Sequence, residues 1–405
     1  MALVTKNFSD IITFTRASTG TFFNSSGVLT SAAINDPRFD YNPSTLAAQG
    51  LLIEEARTNS LLRSAEFDNA SWTKTRATVT ANTATAPDGT TSADSLVEDG
   101  TAANTHDLRQ GGVVNSATTN WALSFFLKAV NRTWALIELQ NATATGNRAR
   151  AWFNLQTGVV GTGNAAGSGI TYVSHSIQNV GNGWYRCVVV GTVDVSVTSI
   201  QAWVEGTIAD NTANYDGVNG QTSIYVWGAQ LEAGAFSTSY IPTTTTALTR
   251  SADVAAVNTL APWFNATAGT LFAQLSLITV SNDASRFTAA LSDGTTANYI
   301  AAFRQIDQQP VGQIVTSGVT QAALGVGAVW TTTATRKMAV SYATNDFKFC
   351  TNGGTVVTDA AGTVPTVTQL QLGAVAGSAR LNGWLERVTF YPRVLSSAEL
   401  QAITT

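Results

Sequence analysis

Three short segments set a tryptophan among polar residues at every second position. If each is extended, successive side chains point to opposite faces. In Trp134-Ala135-Leu136-Ile137-Glu138, Trp134 then shares a face with Glu138. In Arg150-Ala151-Trp152-Phe153-Asn154, the residues Arg150, Trp152 and Asn154 fall together, and in Gln201-Ala202-Trp203-Val204-Glu205 so do Gln201, Trp203 and Glu205. An indole face can stack on the apolar C–H plate of a sugar ring, while planar amide, carboxylate and guanidinium groups bond hydroxyls in pairs. The eight residues therefore form a candidate carbohydrate-binding surface. The alternative is that these tryptophans are half-buried at domain or subunit contacts, where aromatics are also favoured.

Catalytic chemistry finds less support. Glycoside hydrolysis ordinarily needs two carboxylates about 5 to 9.5 Å apart, and no Glu-x-Asp-x-Glu strand motif occurs. The neighbours Glu54 and Glu55 point to opposite faces if extended. His106 and His175, the two histidines, lie outside Gly-x-Ser-x-Gly and His-Glu-x-x-His contexts and read as solvated side chains. Gly161-Thr162-Gly163-Asn164-Ala165-Ala166-Gly167 reads as a loop rather than a phosphate cradle. The Asp-Gly pairs at 88, 99, 216 and 293 lack the ligand pattern of a calcium loop and read as turns. No catalytic residue, metal site or cofactor is expected.

The elements that must position these side chains are strands. Charged residues make up 12% of the 405, well below the roughly 25% of ordinary soluble domains. Thr, Ser, Asn and Gly must solvate the surface, and they favour strands and turns over helices. Alternating runs bounded by turn residues recur from Trp121 to Tyr391, so the chain reads as all-β. A net charge of -4 leaves no basic footprint for nucleic acid. No apolar run reaches the roughly 20 residues of a bilayer span, and Met1 to Asn7 does not open a signal peptide. Cys187 and Cys350 read as small core residues rather than a disulfide framework.

The run Tyr240 to Thr246, polar after Pro242, marks a boundary, and a softer one falls near residue 60. The expected organisation is two β-sandwich (jelly-roll) domains in tandem, 61–246 and 247–405, preceded by an extended N-terminal segment, 1–60, with a hairpin at Asn24 to Gly27. A short C-terminal helix is expected to begin at Ser396, where Ser396 and Glu399 form a capping box.

Three stretches carry a resemblance. Ile12-Thr13-Phe14-Thr15-Arg16-Ala17-Ser18, followed by Pro37-Arg38-Phe39-Asp40-Tyr41 and Gly50-Leu51-Leu52-Ile53-Glu54-Glu55-Ala56-Arg57-Thr58-Asn59, resembles the opening of phage tail-fibre and virion-surface proteins. Asn182-Gly183-Trp184-Tyr185-Arg186 through Trp227-Gly228-Ala229-Gln230-Leu231-Glu232-Ala233-Gly234 to Ser239-Tyr240-Ile241-Pro242 is similar to carbohydrate-binding-module-like jelly rolls of such proteins. Leu381-Asn382-Gly383-Trp384-Leu385-Glu386-Arg387-Val388 with Arg393 to Leu400 is similar to the last strand and helix of concanavalin A-like, laminin-G-like lectin domains. The resemblance implies a non-enzymatic component of a tail or head fibre, assembled in a bacterial host cytoplasm and displayed on the virion surface. It also implies docking to other virion proteins through residues 1–60, binding of host polysaccharide, and a homo-oligomer, a trimer by analogy. Capsid or baseplate decoration without sugar binding, and capsule depolymerisation, are the competing readings.

Overall fold

The computed structural model describes residues 7–326, 328–377 and 379–405; Met1 to Lys6, at the start of the stretch read for a signal peptide, lie outside the described residues. The chain is nearly all β, as the alternation requires, and folds into two sandwiches. The first packs two six-stranded antiparallel sheets. One runs in the order Val159–Ala166, Arg148–Asn154, Trp134–Asn141, Ser199–Thr207, Asp107–Val114, Thr73–Thr75. The other runs in the order Ile170–Asn179, Trp184–Val193, Thr119–Ala129, Gln221–Ala233, Thr91–Glu98, Ala77–Thr85. The inward positions Trp121, Leu123, Phe125, Ile137, Phe153, Val189 and Val204 fuse into one core, with Cys187 among them.

The second sandwich corrects the expected boundaries. Its two seven-stranded sheets draw on both ends of the chain. Thr13–Thr15 pairs with Val254–Val257 at the edge of one sheet. Phe39–Tyr41 and Ala48–Ile53 extend the other beside Gly383–Tyr391. Residues 1–60 are thus not an extended segment awaiting a partner, because Phe14, Leu51 and Ile53 fill the same core as Leu271, Val340 and Phe349. The hairpin at Asn24 to Gly27 does form, joining Gly20–Phe23 to Leu29–Ala32. The first sandwich is inserted into the second.

The seam is ionic. Asp253 meets Arg16 at 3.2 Å and Arg38 at 2.5 Å, and Glu54 meets Arg38 at 2.8 Å and Arg250 at 3.5 Å. All five side chains are at most 1% exposed. Ser239, on the chain leaving the jelly roll, donates to Glu54 through both its amide and its hydroxyl. Burial pushes the Glu54 carboxyl up, but Arg250, Arg38 and Ser239 outweigh it and hold the carboxyl at about 2. Gly234 has a reason here too: its φ of +140° is one that L side chains rarely adopt, and a Cβ would run into the Arg57 guanidinium.

Asp40 behaves oppositely. Burial raises its carboxyl to about 6, although Trp384 Nε1 and the Phe23 amide both donate to it at 2.7 Å. The folded chain therefore keeps a proton that the unfolded chain releases near 3.8, so this group's stabilisation is complete below about 4 and is lost as pH rises to about 6. Melting temperatures taken between pH 4 and 7 are expected to lose this slope in Asp40→Asn. A slope equal to wild type would refute the assignment.

Two smaller expectations also change. The glycine-rich run at 161–167 lies mostly in the strand Val159–Ala166 rather than a loop. A Cβ at Gly163 would sit 2.6 Å from His175 Nδ1 and 2.7 Å from the Tyr172 ring, so one of these side chains would have to turn aside. Nor is His106 solvated, since it is fully buried against Tyr215 with Nδ1 2.8 Å from the Arg76 carbonyl, while His175 lies on a strand. The terminal helix Ser397–Thr404 carries the expected capping box. Among the described residues no helix is long and apolar enough to cross a membrane.

Candidate functional site

Strands 134–141, 148–154 and 199–207 are adjacent in one sheet, and their registers fix which side chains meet. Glu138 lies opposite Arg150 on one side and Trp203 on the other. Trp134 lies opposite Asn154, Leu136 opposite both Trp152 and Glu205, and Gln140 opposite Gln201. All eight residues singled out from sequence thus share the sheet face turned away from the core. The face is not uniformly open, however.

Residues 208–216 fold across part of it. The Thr212 carbonyl accepts from Trp152 Nε1 at 3.0 Å, Ala213 packs on the cluster of Leu136, Trp152 and Trp203, and Asp210 is tied to Thr162. Trp152 is consequently 0% exposed and Trp203 4%. Neither indole offers an open face, which corrects the expectation of stacking platforms at these two positions. Trp134 is half-buried against the strand carrying Gly161. Asn154 is committed to a turn, accepting from the amides of Gln156 and Thr157. Glu205 is fully buried and accepts from the His106 amide at 2.9 Å; burial pushes its carboxyl well up, and Asp107 and Glu138 add to the rise.

Beside the covering loop the same face stays open as a cleft of about 190 Å³. Its wall includes Asp107, Arg109, Glu138, Gln140, Arg148 and Trp203. Glu138 stands 3.6 Å from Arg148 and 3.5 Å from Arg150, and accepts from Gln140, which in turn accepts from Gln201 at 2.8 Å. Burial raises the Glu138 carboxyl more than Arg148, Gln140 and Arg150 lower it. Asp107 is raised for the same first reason, with Arg109 3.9 Å away and Thr105 donating at 3.1 Å. Desolvation lowers Arg150, whose guanidinium lies 4.7 Å over the Trp152 ring. Arg148 Nε is buried without a hydrogen-bond partner among the described residues.

In this wall Arg109 and Arg148 are about a third exposed, while Asp107, Glu138 and Gln140 lie buried behind them and already hydrogen-bonded. The wall can grip vicinal hydroxyls or a ring carboxylate through paired hydrogen bonds. Of its lining residues the sequence pointed to Glu138 and Trp203, and not to Arg76, Asp107, Arg109, Gln140 or Arg148. The alternation already placed Gln140 and Arg148 on the right face, two residues from Glu138 and Arg150. Attention to tryptophan alone hid them.

No protein family matches the chain, and no curated protein matches it. Among solved structures it is similar to the CBM40 of a Ruminococcus gnavus IT-sialidase, at 19% identity and a TM-score of 0.29 over 35% of this chain and 84% of that one. An SAP-like pentraxin from Limulus polyphemus gives 9% identity and a TM-score of 0.28 over 36% and 79%. Chicken galectin 2 gives 14% and 0.24 over 32% and 92%. At such scores the likeness carries no argument about function.

Proposed function

We propose that this chain is a carbohydrate-binding component of the surface of a phage or phage-like particle, with host polysaccharide as its ligand. The observation that carries the reading is the cleft on the jelly-roll sheet face. Glu138 stands between Arg148 and Arg150 with Gln140 beside it, a set of planar groups with the geometry to hold sugar hydroxyls. The phage setting rests on the resemblance of the opening segment. Attachment to other virion proteins then uses outward side chains of a folded sandwich, such as Ile34 and Leu46, both about half exposed. A homo-oligomer, trimeric by analogy with fibres, completes the proposal.

A glycan array probed with the full chain tests it: selective binding to bacterial surface saccharides is the expected result, and an array without signal overturns it. One observation favours a second reading, hydrolysis. Asp107, Glu138 and Glu205 occupy neighbouring positions with raised carboxyls, the condition of a proton donor. New reducing ends from purified host capsule would turn the proposal toward that reading.

A further inference from the structure

A cleft of about 570 Å³ opens between the two sandwiches, apart from the sheet face described above. Its jelly-roll wall is the outer face of the strands 170–179 and 184–193, where Gln178 lies opposite Arg186 and Ser176 opposite Val188. The facing wall comes from the second sandwich and includes Gln49, Ile278 and Trp384. Its size falls in the range of small-molecule sites, which favour domain interfaces.

Three features give this cleft a chemical character. Trp384 is half-buried, and its Nε1 is anchored on Asp40 at 2.7 Å, so the ring is held before any ligand arrives. Arg186 is a cation tethered by neutral groups: Nη1 donates to the Thr238 carbonyl at 2.7 Å, and Nη2 to the hydroxyls of Ser237 and Ser124 at 2.7 and 3.1 Å. These three bonds leave one Nη1 donor of the guanidinium uncommitted, Nε being buried. The remaining polar lining is mostly uncharged, through Gln49, Gln178 and Ser176. Asp40 and Glu54 reach only the smaller adjoining cavity, where Glu54 is committed to Arg38 and Arg250.

We infer that this cleft is a second saccharide site, selective for a short acidic oligosaccharide whose ring packs on Trp384 and whose carboxylate pairs with Arg186. The inference rests on the carbohydrate-binding reading but concerns a different surface and a narrower ligand. An aromatic plate, neutral hydroxyl partners and one cation whose direct bonds all go to neutral groups, with the buried Glu232 and Glu54 acting on it only from beyond them, suit a uronic-acid sugar.

Calorimetric titration of the full chain with tetragalacturonate, a hyaluronan tetrasaccharide and cellotetraose tests it. Gln178→Trp fills the cleft from an outward strand position, and its melting temperature checks folding. At least one acidic tetrasaccharide should bind wild type, lose about tenfold or more in affinity in Gln178→Trp, and stay within about twofold in Glu138→Gln. Equal binding of every saccharide by wild type and Gln178→Trp overturns the second site alone. Loss of cellotetraose but of neither acidic probe overturns its charge preference. Binding by no probe overturns the site, while the array result for the sheet cleft stands or falls separately.

Discussion

Replacing Asp253 by alanine is expected to cost about 3–5 kcal/mol, the penalty for stranding buried charge. Asp253 accepts from Arg16, from Arg38 and from the Glu54 amide at 2.8 Å, and its own side chain is fully buried. Without it, Arg16, Arg38 and Arg250 would face Glu54 as their single acidic partner in the cluster. Urea denaturation followed by tryptophan fluorescence measures the loss, and a midpoint within experimental scatter of wild type would show that the seam is energetically idle. Acid adds a second signature. The Glu54 carboxyl, held at about 2 against an ordinary 4.5, contributes stability that is complete above 4.5 and drains away as pH falls toward 2. That window lies mostly below the one in which Asp40 acts in the opposite sense.

Glu138→Gln should weaken saccharide binding at the jelly-roll face by about tenfold or more, in line with losing one partner of a charged hydrogen-bonded pair. The change preserves shape, but it removes the charge that orients Arg148 and Arg150 and replaces one acceptor with a donor. Arg148 and Arg150 are 30% and 19% exposed, so the change strands neither in the interior and the fold should tolerate it. Affinity measured on the best array ligand, with melting temperature as control, separates the two effects. An unchanged affinity would move the site elsewhere on the molecule. Trp152→Ala cannot serve as the equivalent probe, because that indole is sealed beneath the Thr212 carbonyl and its removal reports on packing.

Much of the architecture was legible in the sequence because period-two alternation states both strand and face. Trp134, Trp152 and Trp203 were placed on one sheet face from their neighbours alone, and the registers agree. What alternation cannot state is what crosses that face. Residues 208–216 show no periodicity, yet they decide that two of the three indoles are covered. The opening motif was misread for a related physical reason. Residues 1–60 hold too few alternating strands for a core of their own, and Arg16, Arg38 and Glu54 find their partners at Asp253 and Arg250, some two hundred residues on. Glu55 likewise meets Asn382, its backbone amide donating to Asn382 Oδ1 and its carboxylate accepting from Asn382 Nδ2, at 2.8 Å each. The three stretches around residues 12–59, 182–242 and 381–388 therefore meet at one seam, and no single-sequence spacing reveals a pairing at such separations.

The insertion of one sandwich within the other sets an order of events during synthesis. The inner module is complete once residues near 233 have emerged, and it can close around its own core while translation continues. Strand 13–15 has no hydrogen-bonding neighbour until 254–257 leaves the ribosome, and strands 39–41 and 48–53, paired with each other, have none on the inner side of 48–53 until 383–391 does. For that interval the nascent chain carries exposed strand edges at its leading end, the feature that invites pairing between neighbouring chains. Crowded polysomes making many copies at once would be where this topology is most vulnerable.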